Sequence, residues 1–352
     1  MYTRLFSVPP EKIIANGIPV FGTFTEPFKL LDIRNVSRPF GDLPLPRWLT
    51  NLRIRAHLVC PFITEDYVGV IDIFDSKVFG FVELIVWEQK TGKKLAYRCV
   101  LGPHKRIVPK STEQDVCVSH TRKRYVRISW CKKTNRLSVL FSLKGDDARP
   151  SIEAAFNIDC GQKDFARTAS VVPAQVSRRC AASVLMTGSL HGTIVFTGIQ
   201  TAVEDSTGSL MLELKRAYYP LRTKTNMLLG FGVFGDKKIS FRISTSNLDG
   251  KDTYRYNENV LFVDGELTLL PPVKITYPGG ISNSWIIQDT ESMVDLIFNP
   301  ISDSYRTLSV LVLHTNYHTI YGSFEGTFLT SSGESISFKN FSGIGKKLQL
   351  RY

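Results

Sequence analysis

The sequence lacks every motif that would name a reaction. It holds no G-x-S-x-G nucleophile elbow, no P-loop, no G-x-G-x-x-G fingerprint and no H-E-x-x-H pair. Residues 230–235, GFGVFG, imitate a glycine loop, but they sit in a strand pattern with no helix after them. The six cysteines, Cys60, Cys99, Cys117, Cys131, Cys160 and Cys180, include no C-x-x-C pair and no zinc spacing with histidine. Most lie in apolar strand-like runs such as LVCPF and YRCVL, where a free buried thiol is the ordinary state. No metal and no cofactor are therefore expected. No run approaches the ~18 apolar residues of a membrane helix. The start, MYTRLFSVPPEKII, has no apolar core of signal-peptide length and carries two prolines. These absences lead to an expectation of a soluble protein in a reducing compartment, the cytoplasm.

Capped stretches of helical period are also nearly missing. Strand patterns are abundant instead. LRIRAHLVCPFI alternates at Leu52, Ile54, Ala56 and Leu58, the period of a half-buried strand. FGFVELIVWEQKTGKKLAYRCVL reads as a hairpin turning at Lys90-Thr91-Gly92-Lys93, and YVRISWCKKTNRLSVLFSL as another turning at Thr134-Asn135. GSLMLELKRAYYP fits a strand or one short helix. Turns recur every ten or so residues, so the fold class is all-β, with two antiparallel bodies built as sandwiches or barrels. No short repeat is visible, which argues against a propeller. Residues 1–48, with the Asn16-Gly17 turn and Pro39, Pro44 and Pro46, read as an N-terminal arm. The first β domain covers 49–165 and the second 180–352, separated by the polar, strand-poor KDFARTASVVPAQVSRRC. At 352 residues with 43% hydrophobic composition, two such cores are well supplied.

Charge is present in excess of one sign: 44 Lys and Arg against 32 Asp and Glu, a net +12. A membrane surface stays open as a partner through that charge. Arg122, Lys123, Arg124 and Arg127, with Tyr125 and Trp130 between and beside them, have the composition of a nucleic-acid surface. The alternation of Tyr125, Arg127 and Ser129 with Val126, Ile128 and Trp130 fits one wet and one dry strand face better, so nucleic acid is disfavoured. Leu348, Leu350 and Tyr352, alternating with Lys347, Gln349 and Arg351, resemble the last strand of an outer-membrane barrel, a minor alternative without an export signal.

Carboxylates interrupt apolar strands at Asp72, Asp75, Glu83, Glu213 and Glu258, and most are expected on solvent faces. One facing a lumen would have a raised pKa and could act as a general acid or base. His314 and His318 have the i, i+4 spacing of a helical metal pair, but LSVLVLHTNYHTIYG reads as a strand, where ~3.3 Å per residue sets them ~13 Å apart. Residues 257–265, NENVLFVDG, stand out most: Glu258 lies between two amides at the entry to an apolar strand that turns at Asp264-Gly265.

The order of these stretches resembles the family known as domain of unknown function 2804. The match is most specific in TYRYNENVLFVDG, Trp285, VDLIFNP, YHTIYGSFEG, the late FSGIG and the Arg351-Tyr352 end. It extends more loosely through FGTFTEPF, LRIRAHLVCPFITEDYVGVIDIF, FARTASVVPAQ and ELKRAYYPLRTKTNML. The resemblance implies the double lipocalin-type barrels of the carotenoid hydratase and AttH group, which hold apolar ligands. It also marks departures. Family members carry Lys-Glu-Trp where this chain has Arg55-Ala56-His57, an aspartate at the position of Glu213, a lysine near Ser170, and tryptophans around Asn226 to Leu228.

The expected function is therefore binding of an apolar or amphipathic small molecule of the lipid or isoprenoid class. Asn257, Glu258 and His318 would orient it, with Trp285 and Tyr256 as apolar wall and Glu213 and Arg55 as further candidates. The alternative is a hydratase, isomerase or cyclase acting on such a ligand, with Glu258 or Glu213 as acid-base group and His318 as partner. A third reading is a structural or nucleic-acid-binding module. The sequence sets no oligomeric state.

Overall fold

The computed structural model describes residues 2–41, 45–76, 79–102, 107–174, 178–196, 198–204, 206–246, 248, 250, 252–310 and 313–351. It is 63% strand and 2% helix. Among the described residues the strands form three large antiparallel sheets, apart from one short parallel pair at the N-terminus.

A nine-stranded sheet runs, in spatial order, Phe6–Ser7, Gly22–Phe24, Ala166–Pro173, Cys180–Ser189, Ser209–Tyr218, Ile54–Ile63, Tyr67–Asp75, Gly80–Glu88 and Lys94–Leu101. A six-stranded sheet, from Ile199–Val203 through His191–Phe196, Ile152–Asp159, Arg136–Leu143 and Arg124–Cys131 to Gln114–Thr121, covers one of its faces. Leu58, Phe62, Ile73, Leu84, Val184 and Leu212 from the first sheet meet Ile128, Phe141, Phe156 and Ile194 from the second in one core.

The third sheet, again of nine strands, runs Glu266–Leu269, Val260–Val263, Lys237–Ser246, Arg222–Phe234, Ser335–Arg351, Leu313–Leu329, Val294–Val310, Trp285–Gln288 and Lys274–Thr276. It curls onto itself. Leu261 near one edge and Trp285 near the other belong to the same core, and Phe241 meets Phe324 with ring centroids 4.9 Å apart across two intervening strands. Bulges at Pro300/Ser302 and Phe324/Gly326 supply local bending. Gly322 and Gly343 leave the room this closure needs: a Cβ at either would meet the Phe298 or Phe324 ring within 2.6 Å.

The two bodies lie against each other through the uncovered face of the first sheet. Val59, Val70, Ile85, Trp87, Leu185 and Met211 pack there on Leu229, Phe231, Val260, Phe262, Tyr321 and Ile344. The first sheet is thus buried on both faces, which is why Cys180–Ser189 has no exposed residue.

The turns at Gly92, Asn135 and Asp264-Gly265 are left-handed where the sequence placed hairpins. Residues 209–218, which fitted helix or strand, form a strand. Three expectations are corrected. The change of body falls between Tyr218 and Arg222, not within 165–180, because Ala166–Pro173, Cys180–Ser189 and Ser209–Tyr218 pair in the first sheet. Residues Arg47–Leu52 form a short helix that alternation further on had hidden. The carboxylates expected on solvent faces are buried: Asp72, Asp75, Glu83 and Glu213 within the first sheet, and Glu258 in the loop that precedes Val260–Val263. A sheet covered on both sides has no wet face to offer the first four.

Candidate functional site

Directly paired residues of an antiparallel sheet project to the same face. Two polar rows therefore cross the first sheet on the side toward the second body. One is Thr23, Ser170, Ser183, Lys215 and His57; the other is Glu213, Val59, Asp72, Glu83 and Arg98. The second body answers with Arg242, Ser244, Tyr317, Lys346 and Arg306, and with the 257–259 loop.

Two clusters result. In the first, Glu258 accepts from Ser183 Oγ (2.6 Å), from Lys215 Nζ and from Arg242 Nη2 (3.2 Å). Arg242 also donates through Nε to Glu213 Oε1 (2.9 Å) and through Nη1 to Ser244 Oγ (2.9 Å). Burial pushes the Glu258 carboxyl up, but the Lys215 and Arg242 charges and the hydrogen bonds from Lys215 and Ser183 outweigh it and bring the pKa down to about 2. The loop itself is pinned from outside. Arg4 donates to the carbonyls of Asn257 and Asn259, and Asn259 bridges Ser244 N–H and the Pro271 carbonyl. Burial lowers the Arg4 pKa to about 10.

In the second cluster, Asp72 lies 2.6 Å from His57 Nε2 and accepts from Tyr317 OH (2.7 Å) and from Lys346 Nζ. Here too burial favours the neutral acid and is overcome, by Lys346 and His57, so the carboxyl stays far below the usual range. Burial and the Asp72 charge together push the Tyr317 hydroxyl well above the ordinary tyrosine value, so it remains a neutral donor. Beside them, Arg98 donates to Glu83 and to Ser304 Oγ (2.7 Å), and Arg306 stacks 3.6 Å from the Phe81 centroid.

Chemically most of this layer is paired, the buried Arg306 Nε being an exception. Lys215, Arg242 and Lys346 balance Glu213, Glu258 and Asp72. The cavities it encloses, about 10 Å³ at Glu258 and about 40 Å³ between His57, Lys215, Arg242, Tyr317 and Lys346, hold a few waters at most. The depressed pKa of Glu258 is opposite to what a general acid at neutral pH needs.

The sequence candidates are scattered accordingly. Asn257 caps its own loop, accepting from Asn259 N–H and donating to Tyr2 OH and the Thr253 carbonyl. Tyr256 packs near Phe21 on the apolar patch around Phe74 and Tyr219. Trp285 fills the inside of the second body, its Nε1–H on the Ile281 carbonyl. His318 is the neighbour of Tyr317 and so projects to the other face of its strand, where it pairs with Asp303 (2.7 Å) and lies against Tyr305. The Glu258–His318 acid-base pair therefore does not form. Because the two sit in separate networks, Glu258→Gln and His318→Gln are expected to add in a double-mutant cycle to within about 0.5 kcal/mol of unfolding free energy. A larger coupling would mean that the two networks communicate. The dense basic cluster is also split: Arg124 is buried and donates to Ser119 Oγ (2.9 Å), while Arg122, Lys123 and Arg127 are exposed.

Arg55 leads to the feature that sequence reasoning missed. It projects two residues from His57 along the same sheet face and lines an open groove of about 890 Å³. Phe40, Leu45, Leu49, Leu52, Pro220 and Leu221 form the apolar wall. Arg53, Arg55, Arg179 and Arg222 stand around it, and no acidic residue is among the described residues of the lining. Arg53 donates to the Tyr219 carbonyl (2.8 Å), Arg55 to the carbonyls of Leu52 and Ser76, and Arg179 lies over the Phe40 ring. Leu221 is 62% exposed, and Leu49 and Leu52 are each 37% exposed. The groove forms where the body changes, at 219–222, and where the helix at Arg47–Leu52 meets it. The signal in the sequence was the arginine density at 53, 55, 179 and 222 beside leucines, spread too widely to read as one site.

Among the described residues no helix is long and apolar enough to cross a membrane. No curated protein matches the chain. Loosely similar solved structures include kievitone hydratase from Nectria haematococca (10% identity, TM-score 0.45, 85% of this chain and 88% of that one) and CghA (11% identity, TM-score 0.49, 97% of each chain). CghA with Sch210972 is similar at 10% identity and TM-score 0.46 over the same shares. A family model spans residues 11–352, and the chain belongs to that family, the domain of unknown function DUF2804.

Proposed function

We propose that this protein binds an amphipathic small molecule, an apolar chain or ring system bearing an anionic head, in the groove beside the Arg47–Leu52 helix. The observation that carries the reading is a wall of exposed leucines ringed by four guanidiniums. The volume falls within the ~300–1,000 Å³ of small-molecule sites, which are mostly apolar with a few placed polar groups. Guanidiniums match carboxylate and phosphate oxygens through paired donors. The barrel interior expected from the sequence is a weaker place for the ligand, because Phe241, Trp285, Phe298, Phe324 and Phe328 occupy the inside of the second body.

The test is calorimetric titration of the full chain with dodecanoate and with dodecanol, each below its aggregation limit. Dodecanoate is expected to bind saturably, and tighter than the alcohol by about tenfold. Leu49→Asp, which puts a carboxylate on the apolar wall, and Arg222→Glu should each weaken dodecanoate by about tenfold or more. Equal binding of acid and alcohol, or indifference to both substitutions, overturns the reading.

A further inference from the structure

The groove has a polar neighbour. A cleft of about 450 Å³ adjoins it and shares Leu45 as a common wall. Its lining is of the opposite kind: Asn16, Asn35, Ser37 and Thr50 with Arg38 and Arg47, and no acidic residue among those described. The loops that shape it are held in place. Ser37 N–H donates to the Gly17 carbonyl (2.7 Å), and a Cβ at Gly17 would come within 2.8 Å of Ser37 Cβ, so the two segments touch where only glycine fits. Asn16, Asn35 and Arg38 all have left-handed backbone, at φ of 51°, 68° and 50°. Each costs energy in a non-glycine residue, so this loop shape is maintained by its surroundings. The two cavities share Leu45 in their walls, an apolar trough next to a cleft of amides, hydroxyls and two further arginines.

Resting on the groove reading above, we propose that the cleft is a head-group subsite and that the ligand is a single-chain phosphate amphiphile, an alkyl or isoprenyl phosphate or diphosphate with its chain in the groove. Three features select phosphate over carboxylate. The cleft is much larger than one carboxylate. The Asn16 and Asn35 amides and the Ser37 hydroxyl can engage several acceptor oxygens at once, while the Thr50 hydroxyl is spent on the Arg47 carbonyl (3.0 Å). Arg38 and Arg47 add positive charge beyond that of the groove arginines, and a phosphate monoester carries about −1.5 to −2 charge with three strong acceptors.

The experiment compares dodecyl phosphate, dodecanoate and inorganic phosphate by calorimetry on the full chain and on two variants, Arg47→Gln and Arg38→Asn. Arg47 is exposed, and asparagine tolerates the left-handed backbone of position 38; each variant's thermal midpoint is measured beside the titration, and binding is compared on folded protein only. Dodecyl phosphate is expected to bind about tenfold tighter than dodecanoate and about a hundredfold tighter than inorganic phosphate. Each substitution should weaken dodecyl phosphate by about tenfold while leaving dodecanoate within about twofold. If dodecanoate binds but dodecyl phosphate gains nothing over it and ignores both substitutions, the subsite is overturned and the groove reading stands. If inorganic phosphate binds as tightly as dodecyl phosphate, the chain contributes nothing and the joined site is overturned. Failure of both amphiphiles to bind removes the groove reading and the subsite together.

Discussion

Asp72→Ala is expected to lower the unfolding free energy by about 3–5 kcal/mol, measured by urea denaturation at pH 7. Asp72 is 1% exposed and is the common acceptor for Lys346, His57 and Tyr317. Two of these partners, Tyr317 and Lys346, come from the other body. Removing the carboxylate leaves the Lys346 ammonium buried without its counter-charge and the Tyr317 hydroxyl without its acceptor, and each group then faces its full desolvation penalty. The loss measures what a stranded charge costs, not what the pair contributes. Buried ion pairs replaced on both sides by apolar groups are often near neutral, so the double variant Asp72→Leu with Lys346→Met should recover more than half of the loss. A loss below about 1 kcal/mol for Asp72→Ala would show that water reaches this layer freely.

The parts of the fold governed by local spacing were legible. Alternation places Val126, Ile128 and Trp130 inside and Arg127 outside, and the structure has them so. The turn residues at Gly92, Asn135 and Asp264-Gly265 marked their hairpins. The charge layer was only half legible. The strand carboxylates stood out in the sequence, but Lys215 and Arg242, which pair with them, occur in equally apolar strands and drew no notice, and Lys346 was marked only as standing, with Lys347, where family members have acidic residues. What was invisible was partnership at a distance. Asp72 meets Tyr317 and Lys346 across 245 and 274 residues, and no period or spacing encodes such a meeting. The assumption that a carboxylate in a strand faces water holds for a sheet with one wet face. It fails for a sheet covered on both, and whether a sheet is so covered depends on the second body. The same limit explains the body boundary. Polar residues at 165–180 look like a linker, yet Ala166–Pro173 makes an inner strand because its partners Gly22–Phe24 and Cys180–Ser189 lie on both sides of it.

The candidate site shows the same division. Sequence reasoning chose Glu258 because an acid in that setting is rare, and the rarity is real, but its cause is structural. The carboxylate ties three segments of the chain, at Ser183, Lys215 and Arg242, through one buried point. A group so fully paired stabilises the contact between the bodies and has no proton to exchange near neutrality. The groove reading depends instead on the leucine wall and on four arginines, of which only Arg55 was among the sequence candidates.

Glu258→Gln provides the sharper check on this division of roles, because its effect must depend on pH with a known sign. The folded-state pKa, about 2, lies below the unfolded value near 4.5. The group therefore contributes stability that is fully present above about pH 4.5 and is lost as pH falls toward about 2; by linkage the contribution is roughly 3 kcal/mol. The gap between wild type and Glu258→Gln in urea midpoint should be large at pH 7 and shrink steadily between pH 4.5 and 2 as the wild type protonates and comes to resemble the amide. At pH 7 the amide also leaves Lys215 facing a neutral group, so the whole loss falls on the contact between Ser209–Tyr218 and the 257–259 loop. Hydrogen exchange should then report opening at that loop before the aromatic core around Phe241 and Phe324. Dodecanoate binding in the groove, measured at pH 7 on the folded variant, should stay within about twofold of wild type, since no groove residue touches Glu258. A gap that is flat from pH 7 to 2 would overturn the ionised assignment, and a collapse of ligand binding would return Glu258 to the site.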